Sequence, residues 1–432
     1  MAVWEKTNFV TDPLWGDNGK GKVIDLMAQR ADMVIRINGG PNAGHTVRNE
    51  KGEFALHLIP SGIFNPEAVC ALAGTVVVNP ILLTEEIKNL RKSDIEINGN
   101  NLLISRDAHL IMPWHRTRDN LRETSRGNEK IGTTGQGIGP TYSDRSLREG
   151  LRVRDLLSPD FVEKFNKEMS YQEKLAGIMS DNTKTVYYNR EKILNDLYEA
   201  REMIAPMITD VLPVIWNYHS RRKNILGEAG QGMLLDLDLG CYPGVTSSHP
   251  GIAGFNLATG IPPKDVARVI GVTKAYTTRV GEGPLPTELC DEIGEKIRKI
   301  GHEFGATTGR PRRCGWLDIP ALRYGSRVGG IDTLALTKID IFDTFSEIKI
   351  CIGYEVDEVK YVTPPEASNE LLAKAKPILT SLPGWEKDTS SCKTFNDLPK
   401  NAQRFVMSVQ EWAGKRIELV SVGSDRQASI YT

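Results

Sequence analysis

Eight consecutive residues, Trp15-Gly16-Asp17-Asn18-Gly19-Lys20-Gly21-Lys22, place three glycines, two lysines and one carboxylate directly before a helix-like run, Val23 to Arg30. Glycine lets backbone N–H groups turn toward a ligand and approach it closely. A helix start adds partial positive charge. Lysine is a mobile cation for phosphate oxygens, and Asp17 can hold a metal ion or accept a proton. The composition is that of a phosphate cradle, but the spacing is not the P-loop's G-x-x-x-x-G-K-[ST]. Counted from Gly16, Gly21 and Lys22 fall in place, while Val23 stands where Ser or Thr is required. Taken alone, the stretch reads equally as a Gly-rich strand-to-helix turn.

Further loops carry similar chemistry. Asn38-Gly-Gly-Pro-Asn42-Ala-Gly44-His45-Thr46 presents a histidine among glycines; the alternative is a turn histidine bonded to backbone. Ile131-Gly-Thr133-Thr134-Gly-Gln136-Gly-Ile-Gly-Pro140 offers hydroxyls and N–H groups to an anion, or is a surface loop. Arg145, Arg148 and Arg152 follow as what is ordinarily a solvated face. Thr246-Ser-Ser248 is another hydroxyl cluster. Thr307-Thr308-Gly-Arg310-Pro-Arg312-Arg313 suits a small anionic substrate, because guanidinium groups grip carboxylate or phosphate in two-pronged fashion. Thr337-Lys338-Ile339-Asp340 has the [NT]-K-x-D form of guanine-reading elements, a weak signal by itself, and Ser421-Val-Gly423 is a late turn able to line a nucleotide pocket.

The elements that must position these loops alternate. Phe9-Val10, the helix after the cradle and Asp32 to Ile37 read as a βαβ unit, hence a parallel sheet with ligands at the carboxyl ends of its strands. Strands are expected near 76–78, 102–104, 269–272, 351–362 and 417–422, and helices near 82–92, 288–301 and 366–381. Residues 153–225 read as a helical subregion and 116–129 as a charged, exposed segment. At 432 residues the chain can bury an ample core. Its net charge of -1 argues against a nucleic-acid or membrane-surface partner. No apolar run approaches the roughly 20 residues that span a bilayer, and Met1-Ala-Val-Trp-Glu-Lys leads into no apolar signal-peptide core. Six scattered cysteines without a C-x-x-C pair fit a reduced, cytoplasmic protein lacking a zinc site.

Together the loops resemble the adenylosuccinate synthetase family, over nearly the whole length from Trp15 to Arg426. The likeness is carried by 15–22, Asn-Ala-Gly-His-Thr at 42–46, His-Leu-Ile-Pro-Ser-Gly at 57–62 and the loop at 131–140. Tyr-Pro-Gly-Val-Thr-Ser-Ser at 242–248, Lys-Ala-Tyr-Thr-Thr-Arg-Val-Gly-Glu-Gly-Pro at 274–284, the loop at 307–318 and 337–340 complete it. The resemblance implies a single α/β domain over 1–432, with a mostly parallel central sheet flanked by helices and a P-loop-like GTP site whose phosphate loop is non-standard. It implies a ligase that joins inosinate (IMP) to L-aspartate with GTP and Mg²⁺ through a 6-phosphoryl intermediate, acting as a homodimer. Asp17 would take the N1 proton, His45 would donate toward the β,γ-bridge, and Lys20 would cradle phosphates. GTP would also meet Asn18, Gly19, Gly21, Lys22, Gly44, Thr46, Arg312, Lys338, Asp340, Ser421 and Gly423. Inosinate would lie against Asn42, Thr133, Thr134, Gln231, Thr246, Arg310 and, across the dimer, Arg148. The aspartate carboxylates would meet Thr307, Thr308, Arg310 and Arg312. Mg²⁺ would sit on Asp17 and the Gly44 carbonyl.

The chain departs from the family's Gly-x-Gln-Trp-Gly-Asp-Glu-Gly entry, reading Asp12, Pro13, Leu14 and Asn18 instead; Gln136 replaces a common arginine, Leu239 an aromatic or histidine, and Glu228-Ala-Gly inverts a Gly-Ala pair. Two alternatives stay open: a paralogue for another purine monophosphate such as GMP or dGMP, or for another amino acid, and a non-catalytic GTP-binding regulator.

Overall fold

The computed structural model describes residues 6–127, 130–180, 186–305, 309 and 311–432. Its centre is a ten-stranded sheet. In spatial order the strands are Ser429–Tyr431, Arg416–Ser421, Thr333–Thr337, Arg268–Lys274, Thr7–Thr11, Ile225–Glu228, Met33–Arg36, Val69–Leu72, Leu102–Ser105 and Ile208–Thr209. Every neighbouring pair is parallel except the last strand of the chain, which turns back on Arg416–Ser421. The architecture is the α/β fold expected from the sequence. Thr7–Thr11 is fully buried. Phe9 packs into one apolar cluster and Val10 into another, as do Ile35 and Val34, and Ile225 and Leu226. This alternation is why the strands read as short unbroken apolar runs: both faces are covered.

The helix Lys20–Ala28 connects Thr7–Thr11 to Met33–Arg36, and the expected 153–225 subregion supplies Phe161–Met179, Arg190–Ile204 and Val211–Ser220. A second, five-stranded sheet is built around Arg313–Asp318 and Glu347–Val356. Three expectations are corrected. Residues 366–381 divide into a short helix, Asn369–Lys374, and a strand, Lys376–Pro383, antiparallel to Glu347–Val356; Pro377 cannot continue a helix. The segment at 116–129 contributes to a helix, Pro113–Ser125, whose Arg118 is buried against Asp144 with His115 and Gln172. Val77–Val78 pairs with His109–Leu110 outside the main sheet.

Candidate active site

The strands Thr7–Thr11, Ile225–Glu228, Met33–Arg36 and Thr333–Thr337 are parallel, so their following loops meet at one edge of the sheet. The first of these loops is the cradle. Gly16 (φ 86°), Asp17 (φ 58°) and Gly19 (φ 90°) are left-handed, a conformation glycine adopts freely. Gly19 caps the helix Lys20–Ala28. A Cβ on Gly21 would lie 2.9 Å from the His45 Cβ, so only glycine lets this helix approach the histidine loop.

The altered entry is ordered by its own new carboxylate. Asp12 is fully buried. Its Oδ1 accepts from Leu14 N at 2.8 Å, Gly16 N at 3.4 Å and Asn18 Nδ2 at 2.8 Å, and its Oδ2 lies 3.3 Å from Lys20 Nζ. Asn18 therefore faces inward with its side chain, while its carbonyl accepts from Thr337 Oγ1 at 2.7 Å. Lys22 does not stay at the cradle. Its ammonium donates to Ser421 Oγ (2.6 Å) and to the carbonyls of Gly423 and Ala428 (2.8 Å each), tying the late turn to this helix. Burial pulls its pKa down to about 8, against Asp340 and Asp425.

His45 opens the strand His45–Asn49 and is buried. Its Nδ1 lies 2.5 Å from Glu228 Oε1. That carboxylate also accepts from Ser61 N (2.8 Å), Ser61 Oγ (3.1 Å) and Arg36 Nη1 (3.4 Å). Burial would raise the Glu228 carboxyl, but His45, Arg36 and the Ser61 amide hold it below the usual range. Burial lowers the His45 pKa, Glu228 opposes it, and Lys20 adds to the lowering. With Nδ1 fixed, Nε2 is the ring nitrogen left for a ligand. In the sequence Glu228 stood only as part of an altered Gly-Ala pair, with no role, although a carboxylate closing a strand before Gly-Gln-Gly marks the same sheet edge. Asn38 was also missed: its amide takes Gly230 N on Oδ1 and donates to Gln231 Oε1 and Ser248 Oγ. Gln231 Nε2 lies 3.3 Å from Asn42 Oδ1, so the two expected amides meet. The Oγ1 of Thr246 is buried without a partner.

At the neighbouring loop, Lys338 is left-handed (φ 59°) and its ammonium contacts Gly301 O and Glu303. Asp340 has a buried Oδ1 without a hydrogen-bond partner, and burial raises its pKa. An orphaned carboxylate oxygen of this kind suits an N–H donor such as a purine edge. Arg312 lies 3.0 Å from Asp17. Gly44 is half-buried, Thr46 and Thr134 exposed, and Thr133 half-buried. The backbone N–H groups at 131–133 are gathered by Glu123. Arg148 is exposed, in a left-handed cap after the helix Ile138–Leu147. Thr307, Thr308 and Arg310 lie outside the described residues.

The family model described as adenylosuccinate synthetase matches residues 10–430. The adenylosuccinate synthetase of Thermoanaerobacter pseudethanolicus is 46% identical over 421 residues, covering 96% of each chain. That of Heliobacterium modesticaldum is 45% identical over 422 residues, with the same coverage. Among solved structures, the fully ligated adenylosuccinate synthetase of Plasmodium falciparum superposes with a TM-score of 0.93 at 34% identity, covering 99% of this chain and 100% of that one. A cyanophage S-2L succinoaminodeoxyadenylate synthetase bound to dGMP and dATP shares the fold, with a TM-score of 0.61 at 18% identity over 99% and 95% of the two chains.

Proposed function

The chain belongs to the adenylosuccinate synthetase family, and we propose that Asp17, His45 and Lys20 carry its chemistry. The reaction is the GTP-dependent ligation of inosinate and L-aspartate to adenylosuccinate, with GDP and phosphate released, in the AMP branch of purine synthesis. Relatives at 44–46% identity carry this name, whereas the cyanophage enzyme resembles the chain in fold alone. Inosinate is therefore the acceptor, and the Asp12 and Asn18 changes rearrange the inside of the loop without removing a reacting group.

In the mechanism we propose, Asp17 accepts the N1 proton of inosinate, making O6 nucleophilic. O6 attacks the γ-phosphorus of GTP, forming the 6-phosphoryl intermediate and releasing GDP. His45 Nε2 donates to the β,γ-bridging side as charge develops there. Lys20 and the backbone N–H groups opening the helix Lys20–Ala28 cradle the phosphates. The amine of aspartate then adds at C6 and phosphate leaves. Asp340 reads the guanine edge beside Lys338; Asn42, Gln231 and Thr246, with Thr133, Thr134 and Arg310, hold inosinate; Arg312, with Thr307, Thr308 and Arg310, grips aspartate. The Asp17 carboxylate and the Gly44 carbonyl are hard oxygen donors of the kind Mg²⁺ takes alongside phosphate oxygens and water. Bound there, the ion would neutralise phosphate charge.

The whole of 1–432 acts as one catalytic domain, since its central sheet draws strands from Thr7–Thr11 and Ser429–Tyr431 alike. Exposed Arg148 and Leu147 suit a homodimer in which Arg148 completes the partner's inosinate site. A cytoplasmic location suits six free cysteines; among the described residues no helix is long and apolar enough to cross a membrane.

The observation that carries the assignment is the buried His45, locked through Nδ1 on an ionised Glu228 beside the cradle. The test is Asp17→Ala. Turnover should vanish while GTP binding, measured calorimetrically, persists; a substantially active variant would sink the proton-abstraction role.

A further inference from the structure

One buried carboxylate stands among three cations at the carboxyl edge of the main sheet. Glu303 has no solvent exposure. Its Oε1 accepts from Lys274 Nζ at 2.9 Å, Lys338 Nζ at 2.7 Å and the Tyr276 hydroxyl at 2.5 Å. Its Oε2 accepts from Arg312 Nη1 at 2.8 Å. The other terminal nitrogen of Arg312, Nη2, lies 3.0 Å from Asp17 Oδ2. Burial alone would raise the Glu303 carboxyl; the charges of Lys274, Lys338 and Arg312 outweigh it and keep it ionised.

The placement is more specific than charge balance requires. Lys338 follows the strand Thr333–Thr337, Lys274 ends Arg268–Lys274, and Asp17 follows Thr7–Thr11; these are three adjacent strands. Glu303 belongs to none of them. It comes from the connection between the helix Glu292–Ile300 and the strand Arg313–Asp318 and stands across their ends. Its backbone is clamped to Arg312, whose N–H donates to Glu303 O at 2.9 Å, and Phe304 bridges Pro311. Any displacement of Glu303 therefore carries Arg312 with it. A continuous relay results: Lys338, Glu303, Arg312, Asp17. Its two ends are the lysine beside the purine base and the carboxylate at the phosphate cradle.

We propose that Glu303 is a positioning residue that sets Lys338 and Arg312 together, so that purine-base recognition and the grip on the amino-acid carboxylate are coupled. The inference rests on the roles assigned above to Lys338 and Arg312. A buried carboxylate cannot give up one cation without changing its hold on the others, because each partner is part of what compensates its desolvation. A base that draws on Lys338 thereby changes the orientation of Arg312.

The test uses the full-length enzyme and KM values for each substrate with the other two saturating. Lys338→Met is read first, because that side chain is 30% exposed and Lys274 and Arg312 still hold the buried carboxylate without it. It should raise the aspartate KM about tenfold, a difference of about 1.4 kcal/mol, along with the GTP KM. The inosinate KM should hold, while Tm falls modestly because Glu303 loses one of its cations. Glu303→Gln should raise the same two constants, and the double variant should be no worse for aspartate than Glu303→Gln alone. A Lys338→Met enzyme with unchanged aspartate KM would overturn the proposal, as would effects that multiply in the double variant or a Glu303→Gln enzyme that weakens all three substrates alike. If Glu303→Gln does not fold, Lys338→Met decides. Wild-type turnover of inosinate and aspartate is the control for the functional reading, and it stands or fails separately from either variant.

Discussion

Replacing Glu228 by glutamine probes the proposed proton donor, His45, without touching it. Gln keeps the size and one acceptor oxygen, but removes the charge that faces His45 at 2.5 Å and Arg36 at 3.4 Å. Two costs follow. The first falls on stability: Arg36 is fully buried, and leaving it short of a counter-ion costs about 3 kcal/mol, read as a lowered denaturation midpoint. The second falls on the reaction. Burial already depresses the His45 pKa, and Glu228 is what opposes it. Without that carboxylate the imidazolium is disfavoured further and the ring loses its anchor, so kcat at neutral pH should fall by about 10² to 10⁴, the usual worth of a positioned acid. The direction with pH is fixed by the sign of the shift: the variant should regain activity as pH falls, because more His45 is then protonated. Single-turnover phosphate release from pH 5.5 to 8.5 measures this. In a His45→Asn background the same change should cost less than about tenfold, since the group it supports is gone. A Glu228→Gln enzyme within threefold of wild type, or one with an unshifted pH profile, would refute the reasoning.

Three further outcomes are expected. Asp12→Asn removes the charge that orders Lys20 and the turn before the cradle, and should raise the GTP KM by about tenfold, the worth of one charge-assisted bond; inosinate KM should stay put. Asp340→Asn should weaken GTP and favour xanthosine triphosphate, because an amide donates where xanthine accepts; unchanged base preference would remove Asp340 from the base site. Asp17→Ala and Arg148→Ala should each be inactive alone, yet mixed after reversible dissociation they should recover about a quarter of wild-type activity, since half the dimers are hybrids with one intact site of two. No recovery from subunits shown to exchange would place Arg148 away from a shared site.

The candidate site was legible in the sequence where it lies in contiguous stretches, glycine-rich at 15–22 and 38–46 and Thr-Lys-Ile-Asp at 337–340. The parallel sheet was legible because Phe9-Val10 and Met33 to Arg36 are buried on both faces and so read as apolar runs. What stayed hidden depends on sheet order. His45 and Glu228 are 183 residues apart, and they meet only because Ile225–Glu228 inserts between Thr7–Thr11 and Met33–Arg36. The strand itself is four residues long and ends in a charge, so periodicity had little to act on. Asp12 looked like damage to a motif; its four donors show a carboxylate that organises the turn from inside. The strand Lys376–Pro383 was hidden by helix-forming neighbours in Asn369–Lys374, and Pro377 was the signal that separates them.

The central claim is that one site uses GTP to activate inosinate for attack by aspartate. It is tested most directly by following phosphate release and adenylosuccinate formation from GTP and Mg²⁺, with inosinate and aspartate each withheld in turn. Steady release that needs both, with one adenylosuccinate formed per phosphate, is the predicted result. Multiple-turnover release without either one, or no product from a folded protein that binds GTP, would contradict it.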